Sequence, residues 1–188
     1  MKKIILASGS PRRKQLLELA EISFEAMVSN VEETFPSGLL PAEIALYIAE
    51  NKAEAVKKNL DNSNAQTILA ADTIVVIDEE ILGKPVDNED AYNMLRKLSG
   101  KIHKVITGVC ILSYKNKKLF AEETDVEFRE LSDMQIKYYI NHFKPYDKAG
   151  AYAIQEWIGA IGIKSIKGDF YNVMGLPVSR VVEELGNF

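Results

Sequence analysis

The feature that most constrains the fold is the change from an extended to a helical pattern within the first 29 residues. Residues 3–7, apolar from Ile4 to Ala7, predict a strand, "SGSP" predicts a tight loop, and residues 11–20 predict a helix. Ser10 is a typical N-cap, and Pro11 is a typical first helical residue. A second strand is predicted at 24–29. The order strand, loop, helix, strand predicts an α/β fold.

The later patterns extend this fold class along the chain. We predict helices at 41–58, 88–98, 132–142 and 177–186, a strand at 67–77 that turns back through "DEE", and two strands at 101–114 and 119–128 that pair antiparallel. The 188 residues contain no repeat and no interdomain linker. We therefore expect a mixed-sheet α/β fold in a single domain over 1–188, with two lobes.

Charge and hydropathy exclude several classes of protein. The 23 basic and 27 acidic residues give a net charge of -4, which argues against a general nucleic-acid binder. The basic start "MKKIILASGS" resembles a signal peptide, but its apolar run is too short. The longest apolar segment, "ILAADTIVVI", is interrupted by Asp72 and falls short of the ~20 residues that span a membrane. We expect a cytoplasmic protein with no nucleic-acid or membrane partner.

Three consecutive cations, Arg12, Arg13 and Lys14, fall in the predicted first turn of the first helix. A helix N-terminus carries partial positive charge, so each exposed cation there costs roughly 0.3–1 kcal/mol. An anion would offset this cost. Backbone amides at a helix start suit phosphate, as do arginine side chains, and the hydroxyls of Ser8 and Ser10 lie in the preceding loop.

Asp72 interrupts an otherwise apolar predicted strand. Aspartate is depleted in strands, and a buried carboxylate without a partner is costly. Asp72 therefore needs a cation, a metal or a position at a strand end. Lys52 is one candidate cation, because helical spacing places it on the apolar face of the 41–58 helix. The alternative is that its long side chain extends to water.

Lys84 is a second candidate cation for Asp72. If Asp78 and Ile81 flank a two-residue turn, Lys84 lies opposite Val75, one diagonal step from Thr73.

The carboxylates Glu32, Glu33 and Asp72 would suit Mg²⁺ beside phosphate, because Mg²⁺ prefers oxygen ligands.

Seven motifs then occur in order across nearly the whole chain: "LASGSPRRKQLL", "VEE", "AADTIVV", "LGKP", "MLRKLSG", "DKAGAYAIQ" and "GDFYNVMGLP". In these motifs the chain resembles the Maf family of nucleoside triphosphate pyrophosphatases. The resemblance implies a fold like that of the inosine triphosphate pyrophosphatases, an elongated mixed sheet with flanking helices and two lobes around a cleft. It also implies hydrolysis of a nucleoside triphosphate to the monophosphate and pyrophosphate with a divalent metal, Mg²⁺ or Mn²⁺.

The resemblance also assigns roles to individual residues. It implies Asp72 as the catalytic base, and we predict Glu33 and Asp72 as metal ligands because carboxylates beside phosphate suit Mg²⁺. From their charges, hydroxyls and places in the chain we predict phosphate binding by Ser8, Ser10, Arg13, Lys52 and Lys84. Arg12, Thr73 and Gln155 indicate the branch that acts on dTTP and UTP, together with modified pyrimidine nucleotides, in a house-cleaning role for the nucleotide pool. A homodimer is compatible with this expectation.

The sequence leaves two other functions open. The family is also associated with arrest of septum formation, so the chain could be a nucleotide-sensing regulator of cell division whose hydrolysis is incidental. It could also bind nucleic acid through "SPRRK", although its net charge and the lack of a longer basic stripe argue against this.

Overall fold

The computed structural model describes residues 3–29, 31–60 and 66–188. Its strands are β1 (Ile4–Leu6), β2 (Phe24–Ala26), β3 (Ile68–Ile77), β4 (Glu80–Leu82), β5 (Ile102–Leu112), β6 (Lys117–Phe128) and β7 (Ile163–Lys167). Its helices are α1 (Pro11–Leu19), α2 (Pro41–Lys58), α3 (Asn88–Leu98), α4 (Asp133–Phe143), α5 (Trp157–Gly162), α6 (Phe170–Met174) and α7 (Val178–Gly186). A short 3-10 helix spans Ala149–Ala151.

The strands of the described residues form one seven-stranded sheet. Its order is β2-β1-β3-β5-β6-β7, and β4 pairs with β3. β1 is parallel to both β2 and β3, whereas β4 is antiparallel to β3 and β7 is antiparallel to β6. The predicted mixed α/β sheet with flanking helices is confirmed. β5 and β6 are neighbours, as expected, and their antiparallel orientation stays a prediction.

Helix α2 has the bounds that its sequence predicts. It begins at Pro41, and the Glu43 side chain accepts a hydrogen bond from the Leu40 N–H at 2.8 Å. Lys57 and Lys58 stand in the last turn, where cations complement the helix dipole. The helix buries one continuous stripe, formed by Ile44, Ala45, Ile48, Ala49, Lys52, Ala53 and Val56. Lys52 therefore lies on the buried face of α2.

The chain divides into two compact units. The first comprises Met1–Thr73, Thr107–Glu122 and Gly175–Phe188. Its core joins β1 and α2 to residues of β3 and β5, around Ile5, Ala53 and Ile68. The second comprises Ile74–Ile106 and Glu123–Met174, with a core that includes Leu95, Phe128 and Tyr139. In the described ranges, no helix combines the length and hydropathy needed to cross a membrane.

The hairpin between β3 and β4 turns one residue earlier than predicted. Val75 pairs with Leu82 and Ile77 pairs with Glu80, so Asp78 and Glu79 form the turn. Both turn residues have positive φ, 49° and 65°, as the mirror-image turns of tight hairpins require. The prediction that Lys84 lies opposite Val75 is therefore wrong. Lys84 lies beyond the end of β4 and is exposed.

Candidate active site

The Asp72 carboxylate is paired with the Lys52 ammonium inside the first unit. Lys52 Nζ lies 2.7 Å from Asp72 Oδ1 and 2.8 Å from Glu33 Oε1. Strand β3 carries the aspartate, and the buried face of α2 carries the lysine. Of the three expected alternatives for Asp72, a cation, a metal or a strand end, the structure shows a cation, Lys52.

Solvent has unequal access to these three side chains. Asp72 and Lys52 are 9% and 11% exposed, whereas Glu33 is 42% exposed. Desolvation makes removal of either buried partner costly, because the other charge then remains without compensation. Glu33 therefore marks the open side of this carboxylate–lysine group, which consists of Asp72, Lys52 and Glu33.

The buried Arg13 side chain joins the loop between β1 and α1 to two other segments by hydrogen bonds, and we call this set of bonds the Arg13 brace. Its Nε donates to the Gly175 carbonyl at 2.8 Å, Nη1 to Ser8 Oγ at 3.1 Å, and Nη2 to Thr73 Oγ1 at 3.0 Å. Burial lowers the pKa of the Arg13 guanidinium, and the Asp72 carboxylate opposes that shift. Arginine remains charged in proteins, so a buried positive charge stands beside the Asp72 strand.

Thr73 extends this brace to β5. Its Oγ1 lies 2.9 Å from Thr107 Oγ1 and also accepts the bond from Arg13. Gly175, whose carbonyl accepts from Arg13, has a φ of +117°, a conformation that glycine adopts without strain. These bonds fix the Thr73 hydroxyl immediately after Asp72 on β3.

The loop before α1 has features that suit an anion. Ser8 Oγ accepts from the Ser10 N–H at 3.2 Å as well as from Arg13. Within this described segment, the Ser10 side chain makes no capping bond to α1 and the first helical turn holds no acidic residue. The first backbone N–H groups of a helix attract an anion when side chains do not cap them.

The remaining predicted site residues are placed as follows. Arg12 is half-buried on α1, next to Arg13, and Glu32 is exposed next to Glu33. Lys84 and Gln155 belong to the second unit, and both are exposed. The roles predicted for these residues stay predictions.

The carboxylate–lysine group places two carboxylate oxygens around one positive charge. Glu33 and Asp72 both direct an oxygen at one positive centre, the Lys52 ammonium. Across the part of the chain that the structure describes, no cluster of three or more His, Cys, Asp or Glu could hold a metal. Mg²⁺ in phosphate-binding enzymes is commonly held by one or two carboxylates together with substrate phosphates.

Two residues that bond within this site, Thr107 and Gly175, were not predicted from the sequence. Thr107 is fully buried, and it is a polar residue within the apolar run "VITGVCIL", which is the same signal that identified Asp72. Gly175 occurs in "MGLP", but nothing local indicates that its carbonyl would accept from an arginine 162 positions away.

We expect Arg13→Lys to destabilise the protein by about 1–3 kcal/mol, because an ammonium cannot reproduce the three-directional guanidinium fork and leaves buried acceptors unmatched. Urea unfolding measures this change. Arg129→Lys, the same substitution at an exposed position, is the control and should stay within about 0.5 kcal/mol. Equal effects of the two substitutions would show that the brace adds no stability.

The chain belongs to the Maf family, since the family model described as "Maf-like protein" matches residues 3–188. The family resemblance predicted from the motifs is confirmed.

Individual relatives match over almost the whole chain. The chain is 55% identical over 182 residues to a protein of Cytophaga hutchinsonii, with 97% of this chain and 82% of the relative covered. It is 50% identical over 188 residues to a protein of Bacillus mycoides, with 100% and 96% covered. A relative from Parabacteroides distasonis is 48% identical over 187 residues, with 99% and 96% covered. Each of the three relatives is named "dTTP/UTP pyrophosphatase".

Among solved structures, a nucleoside-triphosphatase / dITP/XTP pyrophosphatase from Mycobacterium abscessus aligns at a TM-score of 0.42 and 13% identity. The alignment covers 68% of this chain and 74% of that structure. A TM-score below one half supports no conclusion, so the α/β class rests on the strand order described above.

Proposed function

We propose that this protein is a nucleoside triphosphate pyrophosphatase that hydrolyses dTTP and UTP, and modified pyrimidine nucleotides, to the monophosphate and pyrophosphate. The observation that carries the proposal is a strand aspartate, Asp72, bonded at 2.7 Å to Lys52 within a unit that also holds a buried arginine. Support for the substrate class comes from relatives of about half-identical sequence that are named for dTTP and UTP. In the cell, the activity would have a house-cleaning role, removing unwanted nucleotides from the pool.

The proposed reaction is in-line attack of water on the α-phosphorus with pyrophosphate leaving. Asp72 accepts the proton from the attacking water. An ionised carboxylate has about four lone-pair sites, so the bond from Lys52 to Oδ1 does not exhaust its capacity. Lys52 keeps the carboxylate oriented on the strand and offsets its charge beside a triphosphate.

The phosphates would bind at the start of α1. Ser8, Ser10 and the first backbone amides of the helix would bind the phosphate oxygens, and Arg13 would contribute positive charge from behind the loop. Lys52 and Lys84 complete the proposed set of phosphate-binding residues. These charges would stabilise negative charge as it moves onto the leaving pyrophosphate.

Glu33 and Asp72 would hold a divalent metal, Mg²⁺ or Mn²⁺. When bound, such an ion neutralises phosphate charge and lowers the pKa of a coordinated water. Because Lys52 lies between the same two carboxylates, its ammonium keeps them close together before substrate arrives.

Base selection is proposed for Gln155, together with Arg12 and Thr73. Thymine and uracil present an N–H between two carbonyl oxygens. A glutamine amide can accept a hydrogen bond from this N–H and donate one to either carbonyl oxygen. An amide that flips could also match cytosine, so Gln155 alone does not set the preference. Arg12 donates to a carbonyl but cannot accept from the cytosine amino group.

We expect Gln155→Glu to lower kcat/KM for dTTP and UTP by about 10²-fold or more relative to dCTP, because the variant loses the amide donor and gains a charge. Steady-state kinetics with the three nucleotides measures this change. Gln135→Glu, which changes a helix-capping glutamine on α4, is the matched control and should leave the ratio unchanged. Equal proportional losses on all three nucleotides would show that Gln155 does not select the base.

We further propose that residues 1–188 act as one domain, that the enzyme is cytoplasmic, and that any dimer is a homodimer. The two alternatives, a regulator of septum formation and a nucleic-acid module, are less well supported, because the relatives are named for pyrophosphatase activity. A regulator would show little turnover at micromolar substrate, and a nucleic-acid module would shift random DNA in gels in a salt-dependent way.

A panel of common and modified nucleoside triphosphates, assayed for pyrophosphate release with Mg²⁺ or Mn²⁺, tests the proposed function. The proposal expects multiple turnovers with pyrimidine substrates, highest for dTTP and UTP. A panel without catalytic turnover, or with purine nucleotides preferred, would overturn it.

A further inference from the structure

Gln155 stands on a turn that is closely packed on both sides. The Glu156 N–H donates to the Ala153 carbonyl at 3.1 Å, and the Gly159 N–H donates to the Glu156 carbonyl at 2.9 Å. A Cβ added at Gly159 would lie 1.8 Å from the Ile154 carbonyl oxygen, so only glycine allows this approach. Ala153 and Ile154 are buried, whereas Gln155 is exposed. The turn therefore presents Gln155 outward from a fixed backbone.

One buried hydroxyl bonds to residues on both sides of Gln155. Tyr139 of α4 is fully buried, its hydroxyl donates to Glu156 Oε2, and it accepts from the Ala153 N–H at 3.2 Å. Burial and the Glu156 carboxylate raise the pKa of this phenol, so it remains a donor at neutral pH. The Tyr139 ring also stacks on Phe143, with centroids 5.0 Å apart.

Glu156 is held by a second partner in the same unit. Its Oε1 lies 3.4 Å from Lys148 Nζ, and that ammonium bonds Asp147 at 2.7 Å. The Lys148 side chain is only 8% exposed, so the pair is largely removed from water. Both oxygens of the Glu156 carboxylate therefore have a partner, and the carboxylate has little freedom to leave the phenol.

We propose that Tyr139 is a positioning residue for base selection, setting the direction from which the Gln155 amide meets the pyrimidine. The inference rests on the proposed function, because it takes Gln155 as the residue that selects the base. Tyr139 itself does not touch the base. Without the hydroxyl, the Ala153 N–H and the Glu156 carboxylate lose a shared partner, and the backbone that carries Gln155 loses these hydrogen bonds to α4. An exposed amide on a loosened turn discriminates less well, because misplacement by about 1 Å can cost up to 10²-fold in rate.

The test compares Tyr139→Phe with Tyr138→Phe, the same substitution at the neighbouring, 43% exposed tyrosine of α4. The readout is the ratio of kcat/KM for dTTP to that for dGTP, which a general loss of folded protein does not change. We expect Tyr139→Phe to lower the ratio about 10-fold and Tyr138→Phe to leave it unchanged. Glu156→Ala removes the phenol's acceptor without emptying the core, and it should lower the ratio similarly even if Tyr139→Phe fails to fold.

The background of Gln155→Ala separates this inference from the proposed function. If Tyr139 acts through Gln155, Tyr139→Phe will not lower the ratio further in that background. The positioning role would be overturned if Tyr139→Phe lowered the ratio equally in both backgrounds. It would also be overturned if neither Tyr139→Phe nor Glu156→Ala lowered the ratio in the parent protein. If Gln155→Ala alone leaves the ratio unchanged, Gln155 does not select the base. That result overturns the assignment of Gln155, and with it the inference, without any Tyr139 variant.

Discussion

Asp72→Asn is expected to lower kcat for dTTP by about 10²–10⁴-fold, the usual cost of losing a positioned acid–base group. Asparagine keeps nearly the same shape, but it can neither accept the proton from water nor supply an anionic ligand. Its amide oxygen still accepts from Lys52, and Glu33 still pairs with that ammonium at 2.8 Å. The variant should therefore stay folded, which thermal melting checks.

The matched control is Asp78→Asn in the turn between β3 and β4. Asp78 is 70% exposed, pairs with Lys101 at the surface, and has a positive φ that asparagine also tolerates. This control should keep kcat within about twofold, since surface ion pairs contribute little. If Asp72→Asn also lost only about twofold at saturating metal, Asp72 would not be the base.

Lys52→Met should reduce both stability and substrate binding. The Asp72 carboxylate, 9% exposed, loses its paired cation, and an uncompensated buried charge costs about 3 kcal/mol. Loss of the ammonium should also raise the Kd for a triphosphate, because it removes a positive charge proposed to face the phosphates. Urea unfolding measures the first effect, and calorimetric titration of a slowly hydrolysed analogue measures the second.

The double variant Lys52→Met/Asp72→Asn separates the loss of the ion pair from a packing defect. With no charge left on Asp72, the double variant should regain much of the stability that Lys52→Met loses. Lys117→Met, which breaks a surface pair with Glu50, is the control and should cost less than about 1 kcal/mol. An unfolding free energy unchanged in Lys52→Met would contradict the importance of the buried pair.

The elements that the sequence predicts well are those with local signals. Helix α2 has Pro41 at its start and a buried stripe at helical spacing, and its predicted and observed bounds coincide. Helix α4 begins after Ser132, whose side chain accepts from the Gln135 N–H while Gln135 bonds back to the Ser132 N–H. Such capping pairs are contained within four residues, so the sequence shows them directly.

The elements that the sequence misses depend on contacts made elsewhere in the chain. Helix α5, strand β7 and helix α6 each have five or six residues, too few for a periodic pattern. The predicted hairpin turn lies one residue too late, which changes the partner of Val75 from Lys84 to Leu82. The reason is that "DEE" offers two similar acidic turns, and the backbone adopts the one at Asp78 and Glu79. Tertiary packing decides both cases.

The residues of the candidate site also divide into those that the sequence predicts and those that it does not. Asp72 and Lys52 are polar exceptions in apolar elements, and that exception indicates that they pair. The contact from Arg13 to Gly175 and the bonds of Tyr139 to Ala153 and Glu156 join residues whose local sequence gives no such sign. From sequence alone, a tyrosine on an amphipathic helix is interpreted as a core residue, because the partners of its hydroxyl are visible only in the structure.

Hydrolysis of dTTP in water labelled with heavy oxygen tests the central claim most directly. Attack of water on the α-phosphorus, with Asp72 as base, places the label in dTMP and leaves the pyrophosphate unlabelled. Mass spectrometry of the two products distinguishes this result from label in the pyrophosphate, which would mean attack on the β-phosphorus. Label in the pyrophosphate, or release of dTDP and orthophosphate, would contradict the proposed reaction.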